Sequence, residues 1–274
     1  MSNDIGIPYS MVYPMESLCD LLFEVSNEDR LRILLQLEEG GINVTSLSRK
    51  LGISTQEVSR HISRLSEVGL TTKDPEGVHR MTPFGELTMK QLQGFMFTSR
   101  HGGYLKDHSL ESLPSEYVCR IGELAESSFV DDVMVVLHNV ERMFQEAEEY
   151  IYRLTDRYFM MALPHLEGAT ERGVELRLLQ SRGFEYPPDW PGPGVVLKDA
   201  RLKGFFKVRS SDTADVFIAM SEKEVAALAF PAVDGRFDYL GFASKDEKAH
   251  GWCLDLFEHY WESAAIPDFA AEDA

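Results

Sequence analysis

Cysteine is scarce in this chain: three residues in 274, at positions 19, 119 and 253. An odd number, widely spaced, excludes a disulfide framework and a clustered zinc site, and fits a reducing cytoplasm. Long apolar runs are missing too. No stretch approaches the roughly 18 residues a membrane-spanning helix needs, so no membrane partner is expected. The opening "MSNDIGIPYS" has no basic segment followed by an apolar one, so no secretory leader is expected. Positive charge is in deficit: 27 Lys and Arg against 45 Asp and Glu, net −18. That excludes a protein coated in nucleic acid over its whole surface, but leaves room for a small basic face on an acidic body. What is present is core material. With 44% hydrophobic residues the chain is not wholly disordered, and its length suits one large or two ordinary domains.

The charge is uneven. Residues 1–92 hold 9 basic and 13 acidic side chains, whereas 93–274 hold 18 and 32. Between 49 and 80 the balance turns positive: Arg49, Lys50, Arg60, Arg64, Lys73 and Arg80 face Glu57, Glu67, Asp74 and Glu76. A basic island in an acidic chain points to a local nucleic-acid contact; solvated helix faces would leave the same composition.

The island lies in a recognisable order of elements. Glu16–Val25 and Asp29–Leu37 are apolar-rich, with Asn27 placed to cap the second and Gly40-Gly41 to end it. Thr45–Leu51 is a short helix stopped by Gly52. Ser54-Thr55-Gln56-Glu57 is a capping box, with Ile53 and Val58 as its hydrophobic staple. Val58, Ile62, Leu65 and Val68 form the buried stripe of the helix that follows, and Gly69 ends it. At about 100° per residue the opposite face carries Gln56, Arg60, Ser63 and Glu67, flanked by Ser59 and Arg64, the polar surface a helix in a major groove requires. Asp74-Pro75-Glu76-Gly77 fits a type I turn between strands Leu70–Lys73 and Val78–Met81, and Thr82-Pro83 opens another helix.

Together "VTSLSRKLGISTQEVSRHISRLSEVGLTTKDPEGVHRMTPFG" resembles the winged helix-turn-helix domain of archaeal ArsR-like transcriptional regulators, over about residues 16–92. The resemblance implies sequence-specific binding of double-stranded DNA, usually by a homodimer. Gln56, Ser59, Arg60, Ser63 and Arg64 are the expected recognition residues; Arg49, Lys73, His79 and Arg80 are the expected backbone or minor-groove contacts. The recognition segment has no cysteine, which sets the chain apart from the metal-sensing members.

Beyond it, Pro83 to about Phe97 reads as helix and 98–114 as a loop-like join. Val133–Leu137 and Tyr158–Leu163 read as strands around a helix at Glu141–Leu154. His165–Arg172 reads as a short helix and Val174–Leu179 as a strand. A Pro/Gly-rich loop spans 181–194, and Val216–Met220, Val225–Phe230 and Asp238–Ala243 are further strands. Ser244-Lys245-Asp246-Glu247 looks like a second capping box, opening a helix whose Trp252, Cys253, Leu256, Phe257, Tyr260 and Trp261 demand burial. The expected class is α+β: a winged helix-turn-helix domain (16–92), a helical join (93–114) and an α/β domain with a mixed sheet (115–264). "YLKDHSLESLPSEYVCRIGEL" and "WCLDLFEHYWESA" resemble the methanogen filament-regulator (FilR) type. That family is similar to transcription factors whose sensor domain resembles half of a phospholipase D fold. The resemblance implies a cytoplasmic regulator with an effector-sensing domain.

Catalytic signatures are lacking. None of the eight histidines is followed two residues later by Lys, as phosphodiesterase chemistry of the phospholipase D kind needs. Walker, Gly-x-Ser-x-Gly, His-Glu-x-x-His and Cys-x-x-Cys patterns are also missing. The chain is therefore expected to be no enzyme and to need no cofactor or metal; a phosphodiesterase-like hydrolase and a winged-helix protein adaptor are the alternatives. For a small-molecule effector, Phe184, Tyr186 and Trp190 offer apolar walls, and Arg177 and Arg201 are candidate anion holders, with plain surface or ion-pair roles as the alternative.

Overall fold

The computed structural model describes residues 9–188, 190 and 192–267. Residues 1–8 of the opening read above for a leader, and Asp189 and Pro191 of the 181–194 loop, lie outside them. The chain divides into two compact units, 1–92 and 93–274.

The first unit contains α1 (Tyr9–Val25), α2 (Glu28–Glu38), α3 (Val44–Leu51), α4 (Thr55–Glu67), the antiparallel strands β1 (Thr71–Lys73) and β2 (His79–Met81), and the start of α5 (Pro83–Arg100). The expected punctuation is all present. The Asn27 side chain accepts from the Arg30 backbone N–H, and Asn43 caps α3 in the same way. Ser54 and Glu57 exchange both hydrogen bonds of the capping box. Gly52 and Gly69 adopt positive φ, the left-handed conformation that ends a helix at little cost only in glycine. Ile33, Leu34, Leu37, Leu47, Val58, Ile62, Leu65, Leu70 and Met89 make one buried core. Where β1 meets α5, the Thr82 hydroxyl donates to the Gly69 carbonyl (2.6 Å) and accepts from the Gly85 N–H (3.0 Å). A Cβ at Gly85 would collide with the Leu70 carbonyl, so this crossing requires glycine.

The second unit starts earlier than expected. Residues 93–114 are not a linker: Phe97, Tyr104 and Leu113 lie in its main core. Phe97 is fully buried and packs its ring 5.2 Å from that of Phe242. The join itself is helical at α6 (Gly102–Asp107), and α7 (Ser115–Cys119) follows. The Tyr104 hydroxyl accepts from the Phe230 N–H at 2.9 Å.

Two of the expected assignments here were inverted. Val133–Leu137, read as strand, begins α8 (Val133–Glu146), which follows β3 (Ser128–Val130). Asp132 caps it by accepting from the Met134 N–H, and Val136, Val140, Met143 and Phe144 bury at helical spacing. That period and cap outweigh the β preference of three valines. Tyr150–Leu154, read as helix, belongs to β4 (Tyr150–Arg157). The Tyr158–Leu163 segment is a short turn of 3₁₀ helix leading into α9 (Leu163–Glu171), not a strand. β5 (Glu175–Glu185) runs on through Phe184, and α10 (Val195–Leu202) with β6 (Phe206–Ser210) completes a second crossover. β7 (Phe217–Ser221), β8 (Val225–Ala229) and β9 (Gly241–Ser244) precede α11 (Glu247–Ser263).

The seven strands form one mixed sheet in the order β3-β9-β8-β7-β4-β5-β6, with β4, β5 and β6 parallel and the remaining pairings antiparallel. Core residues from α8, α9 and α10 pack with one face and those from α11 and the 97–124 segment with the other, so each face closes its own core. Trp252, Cys253, Leu256 and Phe257 of α11 are fully buried, as their spacing demanded.

The second capping box does not form. Asp246 is the cap, accepting from the Lys248 and Ala249 N–H groups, whereas Ser244 accepts from the Asp246 N–H one step outside the helix. Asp246→Ala is expected to lower stability by about 1 kcal/mol and Ser244→Ala to fall well short of that, as read by urea unfolding at pH 7.

Candidate nucleic-acid interface

α4 has two faces with different tasks. Val58, Ile62 and Leu65 hold one in the core, and Gln56, Ser59, Arg60 and Ser63 stand exposed on the other. Beside this helix, Ser59, Ser63, Lys73 and His79 help line an open hollow of about 560 Å³ between α4 and the β1–β2 hairpin. The hairpin turn is fixed by Asp74, whose carboxylate accepts from the Val78 N–H at 2.8 Å and whose carbonyl accepts from the Gly77 N–H at 3.0 Å.

The expected contact residues separate by what the fold already asks of them. Arg49, Arg60 and Lys73 are exposed and form no ion pair among the described residues. Arg64 is committed elsewhere. Its guanidinium donates to both carboxylate oxygens of Glu24, at 2.6 and 3.3 Å, and lies over the Phe23 ring. Glu24 is buried, and Arg30 also reaches it at 3.1 Å while donating to the Glu24 and Phe23 carbonyls at the end of α1. The Arg64 hydrogen bond is the chief reason the Glu24 carboxyl titrates below its ordinary range, and it raises Arg64 in return. Arg64, expected as a recognition residue, is thus also the brace between α1 and α4, with its side chain still about half exposed.

His79 needs a correction. Its side chain is buried, its Nδ1 has no partner, and burial, reinforced by the nearby Lys73 charge, lowers its pKa. It therefore stays neutral near pH 7 and brings no charge to a phosphate. Arg80 is exposed but lies 3.4 Å from the Asp74 carboxylate, so it is half engaged in holding the turn. The sequence pattern alone did not single out Glu24; an acidic residue at the end of an apolar helix, six residues before an arginine, was the available signal.

The effector residues divide as well. Phe184, Tyr186 and Trp190 do come together: Phe184 and Tyr186 have ring centres 5.0 Å apart, and Tyr186 and Trp190 stack at 5.5 Å. Arg177 does not join them. It pairs with Glu175 at 2.9 Å and Glu258 at 2.7 Å and lies over Tyr152 and Trp261, in the opposite core. Its carboxylate partners leave no unmet charge for a ligand. Arg201 sits in the last turn of α10. Among the described residues no three His, Cys, Asp or Glu side chains gather into a metal-binding group, and no helix is long and apolar enough to cross a membrane.

A family model described as a helix-turn-helix domain matches residues 25–74. These residues include α2, α3, α4 and β1. No curated protein matches the chain. Among solved structures it is similar to TrmBL2, an archaeal chromatin protein, at 17% identity and a TM-score of 0.43, with 90% of this chain and 98% of that one covered. It is similar to reduced HlyU from Vibrio cholerae N16961 at 27% identity and a TM-score of 0.28, over 31% of this chain and 95% of that one. It is also similar to Nuc, a phospholipase D family member from Salmonella typhimurium, at 11% identity and a TM-score of 0.33, over 52% and 99%.

The division of the arginines is testable. Arg60→Ala is expected to leave the melting temperature unchanged and to weaken a selected DNA site about tenfold or more. Arg64→Ala is expected to lower the melting temperature, because the buried Glu24 carboxylate loses its stronger partner. Thermal melts beside DNA titrations of the two variants check both.

Stability should also depend on acid in a defined direction. The pKa values of His79 and His101 are lowered by burial from an ordinary 6.5. Above 6.5 both states are neutral and the stability is complete. As the pH falls through that value the unfolded chain takes up protons the native one refuses, and stability is lost. The melting temperature is expected to drop between about pH 7 and 5.5, with a shallower slope in the double variant His79→Gln, His101→Gln.

Proposed function

We propose that this chain is a DNA-binding transcriptional regulator of the ArsR-like, archaeal kind, acting in the cytoplasm as a homodimer. The carrying observation is the outward face of α4. It presents Gln56, Ser59, Arg60 and Ser63, with Arg60 unpaired, while every apolar residue of the helix serves the core. Arg60 has the fork that reads guanine and Gln56 the amide that reads adenine. Lys73 and Arg49 supply unpaired charge for phosphates, and Arg80 supplies it once released from Asp74. Arg64 is shared with Glu24, and the buried, neutral His79 has no part in this reading.

Two copies are required because one helix makes few base contacts; a two-fold site about 34 Å between half-site centres supplies the rest. The first unit exposes Leu18, Leu22 and Phe23 on α1 and Phe84 and Leu87 on α5, apolar surface that a dimer seam would cover. The second unit, with its excess of 14 acidic side chains, is a FilR-like regulatory body that takes an effector and biases DNA binding. The sequence has no His-x-Lys, the pattern that hydrolysis of the phospholipase D kind uses.

Selection from random duplexes followed by binding titrations tests the reading. A recovered two-fold motif, bound by a dimer in light scattering, is the expected result; Lys73→Ala should weaken all sequences alike and reduce the salt slope by about 1. Failure to enrich any motif at low salt would favour the protein-adaptor alternative and overturn the proposal.

A further inference from the structure

Arg153 lies in the middle of β4, flanked in register by Leu178 of β5 and Ala219 of β7. It is 3% exposed, yet its Nε and one terminal nitrogen, Nη2, have no hydrogen-bond partner. Among the described residues no carboxylate pairs with it. Asp156, three residues on, is taken by Arg157 at 3.0 Å and by the Tyr239 hydroxyl at 2.8 Å. What faces the guanidinium is aromatic: the Phe144 and Phe159 rings, 5.4 and 5.7 Å from its central carbon. Cation–π contact offsets part of the burial but satisfies no in-plane N–H. Burial pulls the Arg153 pKa down to about 10, so it remains a cation at neutral pH.

A second orphan stands beside it. Tyr158 lines the same narrow cleft, walled by Ile151, Leu166, Leu176 and Phe206, and its buried hydroxyl has no partner either. Tyr158 follows the end of β4, where its N–H donates to the Glu185 carbonyl at the end of β5. The carboxyl ends of parallel strands are where open α/β sheets bind ligands. Trp190 packs on Tyr158 with ring centres 4.0 Å apart, and Tyr186 lies 6.0 Å from it, held by a hydrogen bond from the Gln180 amide. The cleft as it stands has about 10 Å³ of free space, room for about one water. A larger guest therefore enters only as the Tyr158 and Trp190 rings swing outward.

We propose that Arg153 is the anion-binding residue of the second unit, and that its ligand is a carboxylate carried on a flat apolar body. Nε and Nη2 form the side-on edge of the guanidinium, two parallel donors that match the two oxygens of one carboxylate. One arginine and one phenol suit a single negative charge, and the apolar and aromatic walls suit a body without further polar groups. A phosphate brings more charge and more acceptors than these donors satisfy. Arg177, the arginine expected from the sequence to hold an anion, has the carboxylates that Arg153 lacks. The inference rests on the reading of this unit as effector-binding and names the ligand class. Its test reads binding without DNA, so either idea can fail alone.

The experiment uses the full chain with sodium benzoate as probe, and benzamide and inorganic phosphate as controls, read by melting temperature and tryptophan fluorescence. Benzoate is expected to raise the melting temperature saturably and to change the Trp190 signal, a change lost in Trp190→Phe. Benzamide, with the same shape and no charge, is expected to do neither. Arg153→Met should weaken benzoate about tenfold or more, and Arg153→Lys nearly as much, since lysine keeps the charge and loses the fork. Tyr158→Phe, which removes only the hydroxyl, should weaken it several-fold. Without ligand, Arg153→Met should melt no lower than the native chain. The proposal is overturned if benzoate gives no saturable shift, if benzamide matches it, if the variants bind as the native chain does, or if phosphate binds through Arg153 in its place. A markedly lower melting point for ligand-free Arg153→Met would overturn it too, by assigning the side chain to the fold.

Discussion

A buried carboxylate decides which cations of the first unit a partner can reach. Glu24 ends α1 inside the structure, where a lone negative charge would cost several kcal/mol, and it draws two arginines to itself. Arg30 comes from α2 and also caps the last carbonyls of α1; Arg64 comes from α4. The three side chains join α1, α2 and α4 by charge. With Arg64 paired to Glu24, Arg60 is the arginine of α4 that forms no ion pair among the described residues. A helix with two arginines in sequence therefore has one that is unpaired and one already shared with the fold.

The second unit shows the same accounting with one sign missing. Arg177 and Arg153 stand on neighbouring parallel strands, both over aromatic rings. Arg177 has two carboxylate partners and a raised pKa; Arg153 has none and a lowered one. The difference comes from the side of the sheet each faces. α11 brings Glu258 to the Arg177 face, whereas the buried residues of α8 and α9 are apolar. An unpaired cation in such surroundings opposes folding unless something else returns the energy, and a ligand that binds only the native state does so by mass action.

Much of the first unit was legible because its signals are local. A cap, a staple, a buried stripe and a glycine stop lie within a few residues of one another, and the capping box at Ser54 and Glu57 formed as the spacing required. The second unit was legible in its later strands and in the apolar arc of α11, and misread where local preference and tertiary packing disagree. Three valines at 133–136 favour a strand in isolation; Asp132 and the spacing of Val136, Val140 and Met143 made them a helix. Residues 150–154 follow α8 after a gap of only three, too short for hydropathy to mark the boundary, although Ile151, Arg153 and Thr155 alternate with Tyr152 and Leu154 as strand residues do. That misreading hid Arg153, since an arginine on a helix needs no explanation. Partnership is the other thing a sequence withholds: Arg64 with Glu24 spans 40 positions and Arg177 with Glu258 spans 81.

Charge constrains how the two units can work together. The acidic excess of the second unit opposes close approach to phosphates over roughly the Debye length, about 8 Å at physiological salt, wherever that acidic surface faces them. On the proposed function, its influence passes through a preference among states of the whole chain. A ligand shifts such a preference only by the difference in its affinity for the two states; tenfold coupling corresponds to about 1.4 kcal/mol. A site that is closed when empty provides that difference without a separate device. On the proposal above, the rings over Arg153 occupy one place in the empty protein and another in the occupied one. Both arrangements begin on Tyr158, at the end of the strand that carries the arginine. A carboxylate there would be felt first by β4 and β5, and through the sheet by β7, rather than by the acidic surface.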